Sequence, residues 1–279
     1  MTEHIDHIVI NVAQHLDTAL DCYRRLGFTL TPRGHHSLGT SNHLAIFGSD
    51  YLELMGVEPR NADKASLPFP PGLIGLVFKT TAADALWQRL AARRVPLQGD
   101  GPQPLSRPIT LEDGTESEAR FRTIDVQAAS VPNGRLFFCH HLTPELVWRP
   151  EWQTHANAVQ GIAEYVYVTP SPARTANLLE QAFGPGVLNA EDGGVFFDAG
   201  KARVRYLRRE AIAQRYGIAA DEVPAEDERA VALTLYTRSL DAVRDALRAG
   251  AVPGWKETNN RVVVPPTSAM NVILAFQEA

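Results

Sequence analysis

The chain of 279 residues is 44% hydrophobic and 21% charged, an ordinary balance for a globular protein with room for about two domains, each able to bury a core. The formal net charge of -5 argues against a nucleic-acid partner, because phosphate binding needs a basic face and no Lys/Arg run supplies one. Two cysteines are too few for a disulfide framework, no apolar run nears the roughly 18 residues of a membrane span, and the acidic start lacks a signal peptide's features, so a cytoplasmic protein with no membrane contact is expected.

In chain order, HIVINV (residues 7–12) alternates apolar and polar residues as a half-buried strand does. A helix pattern follows, with Leu16, Ala19, Leu20 and Tyr23 on one face and Gly27 as its stop. FTLTP, HLAIF and YLELMGV then read as strands between turn signals. After the PFPPG break at 68–72 the order returns: GLIGLVFKT as a strand, Ala83, Leu86, Trp87 and Leu90 as a helical stripe, then ARFRTIDVQ and RLFFCHHL as strands. A third copy opens at GIAEYVYVTP, with Ser171 as N-cap, Pro172 in the first turn and Gly184 past the helix end, followed by VFFDAG and ARVRYL. The fourth runs AVALTLYT, a helix bracketed by Ser239 and Gly250, RVVVP and NVILAFQ, and the acidic stretch 221–228 reads as a solvated connection before it.

A unit recurring four times is a fold-level signal. The expected fold class is α+β: four βαβββ modules paired into two curved mixed β-sheets, or cups, with helices outside, one pair over residues 1–152 and a second, degenerate pair over 153–279.

HIDHIVINV, the LGF after the first helix, and above all GHHSLGTSNHLAIFGSDYLELMGV resemble the glyoxalase-like subgroup of the vicinal-oxygen-chelate superfamily, which also holds bleomycin-resistance proteins and dioxygenases. FFCHHLTPELVWRPEW followed by HANA resembles the segment that closes the first module pair there. The resemblance implies a divalent metal in the cup, held from the first and fourth strands of paired modules; these positions fall on His7 and Glu53. Strand parity agrees: His7, Val9 and Asn11 share one side, Ile8, Ile10 and Val12 the other, and Glu53 opposes Leu52 and Leu54.

In the second module the matching slots fall on Gly75 and Phe138, neither a ligand; His140, on the same face as Phe138, is the expected third ligand or general base, and His141 is expected to point away. A His7–Glu53–His140 set suits Fe, Mn, Ni, Co or Zn. Glu53 is also a candidate proton carrier, while a buried His–Glu pair without metal is the plainer alternative. In the second pair the slots hold Glu164 and Ala275, and no metal constellation emerges.

His35, His36 and His43 match no closed zinc spacing. By residue type alone Gly34 and Gly39 make a turn whose backbone Thr40 and Asn42 bond; the resemblance implies that His36, Thr40 and Asn42 line the mouth of the cup and contact substrate. Trp148, Trp152 and His155 read as packing at the junction of the halves and Cys22 and Cys139 as packed thiols, while Arg203 and Arg205, on one strand face, suit either a bound carboxylate or salt bridges to the acidic stretch 221–228.

The leading expectation is a metal-dependent enzyme acting on a small oxygen-rich organic molecule, with isomerase, lyase and ring-cleaving dioxygenase chemistry all open. Its competitor is a non-catalytic small-molecule-binding or resistance protein of the same fold, favoured by the ligand-free Gly75 slot. A homodimer is a further expectation, although pairing of modules within one chain satisfies the same need.

Overall fold

The computed structural model describes residues 4–36, 39–58, 67–110, 114–223 and 228–279. Two eight-stranded mixed sheets carry the fold. The first holds β1 (Ile5–Asn11), β2 (Gly34–His35), β3 (Thr40–Ile46), β4 (Tyr51–Val57), β5 (Gly72–Lys79), β6 (Gln103–Thr110), β7 (Glu116–Asp125) and β8 (Arg135–His141), in spatial order β2-β3-β4-β1-β5-β8-β7-β6. The second holds β9 (Val159–Val168), β10 (Leu188–Glu191), β11 (Gly194–Ala199), β12 (Ala202–Leu207), β13 (Arg229–Thr237), β14 (Lys256–Thr258), β15 (Arg261–Val264) and β16 (Ile273–Glu278), in order β10-β11-β12-β9-β13-β16-β15-β14. Each module's first strand runs parallel to its last, as β1 with β4 and β5 with β8, and the two first strands join antiparallel at the centre. The expected α+β fold of paired, curved sheets is the one observed.

Helices α1 (Leu16–Arg25), α2 (Ala83–Ala92), α3 (Pro172–Phe183) and α5 (Leu240–Ala249) are the crossovers of the four modules. They lie on the convex faces, and the two sheets share a single apolar core there. Ile8, Ile10, Leu52, Leu54, Phe78 and Phe138 from one sheet pack in the same cluster as Tyr165, Tyr167, Leu233, Leu235 and Phe276 from the other. Phe78 meets Phe197 with ring centres 5.9 Å apart, and Phe28 stacks on Phe276 at 6.2 Å. Truncating a buried aromatic of this kind to alanine typically costs about 3–5 kcal/mol, so these contacts are a large part of what joins the halves. His155 completes the junction: its Nδ1 accepts from Thr29 N–H at 3.0 Å and its Nε2 donates to Ile46 O at 2.9 Å. Among the described residues no helix is long and apolar enough to cross a membrane.

Some local expectations fail for identifiable reasons. FTLTP forms no ladder; Phe28 and Leu30 are buried, and Thr31 instead bonds Leu44 through both its backbone and its hydroxyl. Ser239 caps α5 by accepting from Ala242 N–H at 3.2 Å, whereas the Ser171 side chain makes no capping bond. Gly250 is not left-handed; a side chain there would strike Arg25 O, so α1 and α5 pack at glycine distance. Helix α4 (Arg209–Tyr216), absent from the sequence reading, packs Ile212, Ala213 and Tyr216 against the concave side of the second sheet. The second cup is therefore filled by its own chain.

Asp50, between β3 and β4, accepts from Ile162 N–H of the second sheet at 3.0 Å. Burial raises its carboxyl from the ordinary 3.8 to about 7, outweighing the Ile162 N–H and the attraction of Lys79. A raised acid pKa means that the folded state holds the proton longer, so stability is full at acid pH and falls as pH rises toward 7. Asp50→Asn keeps the acceptor without the charge. It is expected to exceed wild type in stability near pH 8 by up to about 4 kcal/mol, the linkage value of a shift from 3.8 to about 7, an advantage that disappears near pH 4 in urea titrations.

Candidate active site

The concave face of the first sheet encloses a cavity of about 590 Å³. Leu44, Met55, Phe69, Leu105, Phe121 and Phe137 supply apolar walls, and His7, His36, Asn42, Glu53 and Arg107 a polar floor. This composition suits an organic ligand held by a few oriented polar contacts.

Glu53 stands at the centre. Its Oε2 lies 3.7 Å from His7 Nε2, its Oε1 lies 3.8 Å from His36 Nε2, and Asn42 Nδ2 donates to Oε1 at 2.6 Å. Burial opposes ionisation of Glu53, but the charges of His36 and His7 and the Asn42 bond outweigh it and hold the carboxyl below its ordinary range. Burial acts on His36 as well and lowers its pKa despite the pull of Glu53. His36 is oriented by Thr40, whose hydroxyl meets Nδ1 at 2.7 Å. His7, His36, Thr40, Asn42 and Glu53, all singled out from the sequence, thus line one cavity.

His140 does not join them. Cross-strand pairing sets His140 opposite Arg122, which forks onto Asp84 of α2, and His141 opposite Phe121 of the cavity wall. The central strands explain the correction. Val9 pairs with Glu53 and Val77 with Phe137, so the counterpart of Glu53 is Phe137, one residue before the position expected. A one-residue slip exchanges the faces of a strand. Phe137, Cys139 and His141 consequently face the cup side, while Phe138 and His140 face the helices. His140 is thus placed away from the metal and catalytic roles expected of it. Gly75 does occupy the expected slot, and a side chain there would strike Val9.

The supporting layer beneath His7 was not legible in advance. A register shift between Ile5 and His7 leaves Asp6 as a bulge residue, and bulges re-aim side chains. Asp6, fully buried, accepts from His7 Nδ1 at 2.7 Å and from His141 Nε2 at 2.9 Å through the same oxygen; Lys79 Nζ stands 3.5 Å from the other. Burial would raise the Asp6 carboxyl, but the bonds from His141 and His7 prevail and hold it far below its ordinary range. With Nδ1 donating, His7 presents Nε2 to the cup, and Tyr51 stacks on its ring at 4.3 Å. Among the described residues, Asp6, Cys139 and His141 form a group whose potential ligand atoms lie within 4.8 Å of one another. Burial keeps the Cys139 thiol protonated.

Residues 5–183 match the family described as a glyoxalase-like domain, well over half of the chain. The chain belongs to that family. A search of curated proteins found no match. Among solved structures, this glyoxalase-like protein is similar to a hypothetical protein from Staphylococcus aureus at 12% identity and a TM-score of 0.66, covering 99% of this chain and 100% of that one. It also resembles a mutant 4-hydroxymandelate synthase from Streptomyces coelicolor at 10% identity and a TM-score of 0.57, over 99% and 92% of the two chains. A xylose isomerase-like TIM barrel/4-hydroxyphenylpyruvate dioxygenase fusion protein matches at 13% identity and a TM-score of 0.55, with 98% of this chain covering 48% of that one. At such identities the likeness is one of fold.

Within this glyoxalase-like architecture the described residues of the second cup offer no equivalent floor. Glu164, in the His7 position, accepts from Arg205, Arg215 and Arg261, and Tyr216 and Thr234 bond its Oε2 side. Arg205 also pairs with Glu191, and Arg203 with Asp198. The acidic partners of these arginines are therefore strand residues of the same sheet, and residues 224–227 of the acidic stretch lie outside the described residues.

Proposed function

We propose that the first cup is the active site of a metal-dependent enzyme acting on a small oxygen-bearing organic molecule. The observation that carries this reading is a buried, ionised Glu53 flanked by two imidazole Nε2 atoms at the bottom of an apolar-walled cavity. Two nitrogens and one carboxylate oxygen are a donor set that suits a divalent transition metal: His7 and Glu53 would be ligands, with His36 the third in place of His140. Asp6 behind His7 is the carboxylate that commonly orients a metal-binding imidazole. A metal held there supplies Lewis acidity toward substrate oxygens.

The protein's own groups supply the rest. Asn42 fixes the Glu53 carboxylate, and Asp6 with Tyr51 fixes the His7 ring, so neither must reorganise as substrate arrives. Glu53, ionised and facing the cavity, is the natural acceptor for a proton taken from a carbon next to a substrate carbonyl. That favours isomerase or lyase chemistry. Ring-cleaving dioxygenation stays open, since His36 in place of His140 still completes a set of two imidazoles and one carboxylate.

A non-catalytic binding protein is the second reading, favoured by Gly75 and Phe137, which offer no ligand from the second module. Metal analysis of untagged protein purified without chelator, beside a His7→Ala/Glu53→Ala double variant, separates the two. Stoichiometric Fe, Mn, Ni, Co or Zn in wild type, lost in the variant, is the expected result. Absence of metal in both, after reconstitution with each ion, leaves the binding reading.

A further inference from the structure

Arg107 on β6 is 4% exposed and lines the first cup. The curl of the first sheet brings β6 beside β2, and Arg107 lies over Gly34. A side chain at Gly34 would approach Arg107 Cδ and Nη1 to 2.9 Å and Asn42 Oδ1 to 2.4 Å, so glycine is what leaves the guanidinium its berth. Among the described residues its hydrogen bond is to Asn42 Oδ1, at 3.3 Å from Nη1. Asn42 spends its amide nitrogen on Glu53, and so stands as a neutral spacer between that carboxylate and Arg107. The other cavity guanidinium, Arg135, is already paired with Asp125 at 2.7 Å.

Among the described residues Arg107 has no ion-pair partner, and a buried guanidinium that faces a cavity in this way is costly unless something arrives to pair with it. We infer that Arg107 receives the carboxylate of the ligand, and that the first cup binds small organic acids with an apolar body. The guanidinium fork matches a carboxylate in a planar, two-bond arrangement. With the acid group there, the hydrocarbon part meets Leu105, Phe121 and Phe137, and the adjoining carbon and oxygen atoms face His7 and Glu53. The inference rests on the reading of this cup as a ligand site and narrows its substrate class.

The test is thermal unfolding and calorimetric titration of the holoprotein with hexanoate, benzoate and phenylacetate, each beside its primary amide, and with inorganic phosphate. At least one acid is expected to bind and raise the melting temperature while its amide does not. Arg107→Met is expected to weaken that acid by about ten- to a hundredfold. Arg107→Lys, which keeps the charge but loses the fork, is expected to fall between them and guards against a folding defect in the methionine variant. Acid and amide binding alike, phosphate binding without any carboxylate, no binding by any acid, or undiminished acid binding by Arg107→Met in folded protein overturns the inference. Metal content measured on the same samples keeps the two readings apart. Metal-free protein that binds the acids through Arg107 defeats only the metalloenzyme proposal; metal-loaded protein indifferent to the acids defeats only this one.

Discussion

Asp6→Ala is expected to lower stability by about 3–5 kcal/mol, because it removes one member of a buried charged cluster and leaves the others without their acceptor. His7 and His141 both donate to Asp6, and Lys79 stands beside it. Chemical denaturation at neutral pH reads the loss directly. The sign of the acid dependence follows from the depressed carboxyl pKa. Asp6 contributes stability above its ordinary value of 3.8, and that contribution is lost as pH falls toward the lower folded value. The difference between wild type and variant is therefore expected to shrink in acid. Asp6→Asn keeps the shape but cannot accept equally well from two imidazoles. It is expected to cost about 10–100-fold in metal affinity through His7, measured by competition with a chelator, while retaining more stability than the alanine form. Unchanged affinity in a folded Asn variant would show that Asp6 does not orient a metal ligand.

Glu164→Ala is expected to have a comparable effect on stability and none on the first cup. It leaves Arg205, Arg215 and Arg261 around a hole in the floor of the second sheet, at a cost of about 3–5 kcal/mol. Burial alone would raise the Glu164 carboxyl, but the Arg215 bonds and the charges of Arg215, Arg205 and Arg261 reverse this and bring it to about 2. Stability from this group is present above pH 4.5 and lost between 4.5 and about 2, amounting to about 3 kcal/mol by linkage. Urea titrations across that interval test the size and direction. Metal content and ligand binding in the first cup are expected to match wild type, since Glu164 lies in the other sheet; their loss would mean that the halves are coupled more tightly than the shared core requires.

Parity served well where strands are regular and poorly where they are not. His7 with Val9 and Glu53 between Leu52 and Leu54 were placed on the correct faces because side chains in a regular strand alternate without exception. RLFFCHHL is apolar on both faces, so alternation gives no anchor for its register, and His140 and His141 exchanged places. Asp6 reaches His7 through a bulge, which has no sequence signature of its own here. Pro104 and Pro108 argue against a strand at β6, yet both are tolerated there because β6 ends the order of the sheet, its ladder running to β7. That strand was missed, and Arg107 with it.

The repeated strand–helix–strands order, set by apolar periodicity and by glycine and proline punctuation, determined the modules, the two curved sheets and the faces of β1 and β4 on its own. Those are local properties, and each residue carries its share of them. Which histidine of β8 enters the first cup, which carboxylate stands behind His7, that α4 fills the second cup, and that Arg107 faces a cavity with Asn42 between it and Glu53 were decided only in three dimensions. Register, bulges and the closing of a sheet depend on pairing between segments far apart in the chain. Cross-strand geometry, not local composition, fixes where those side chains meet.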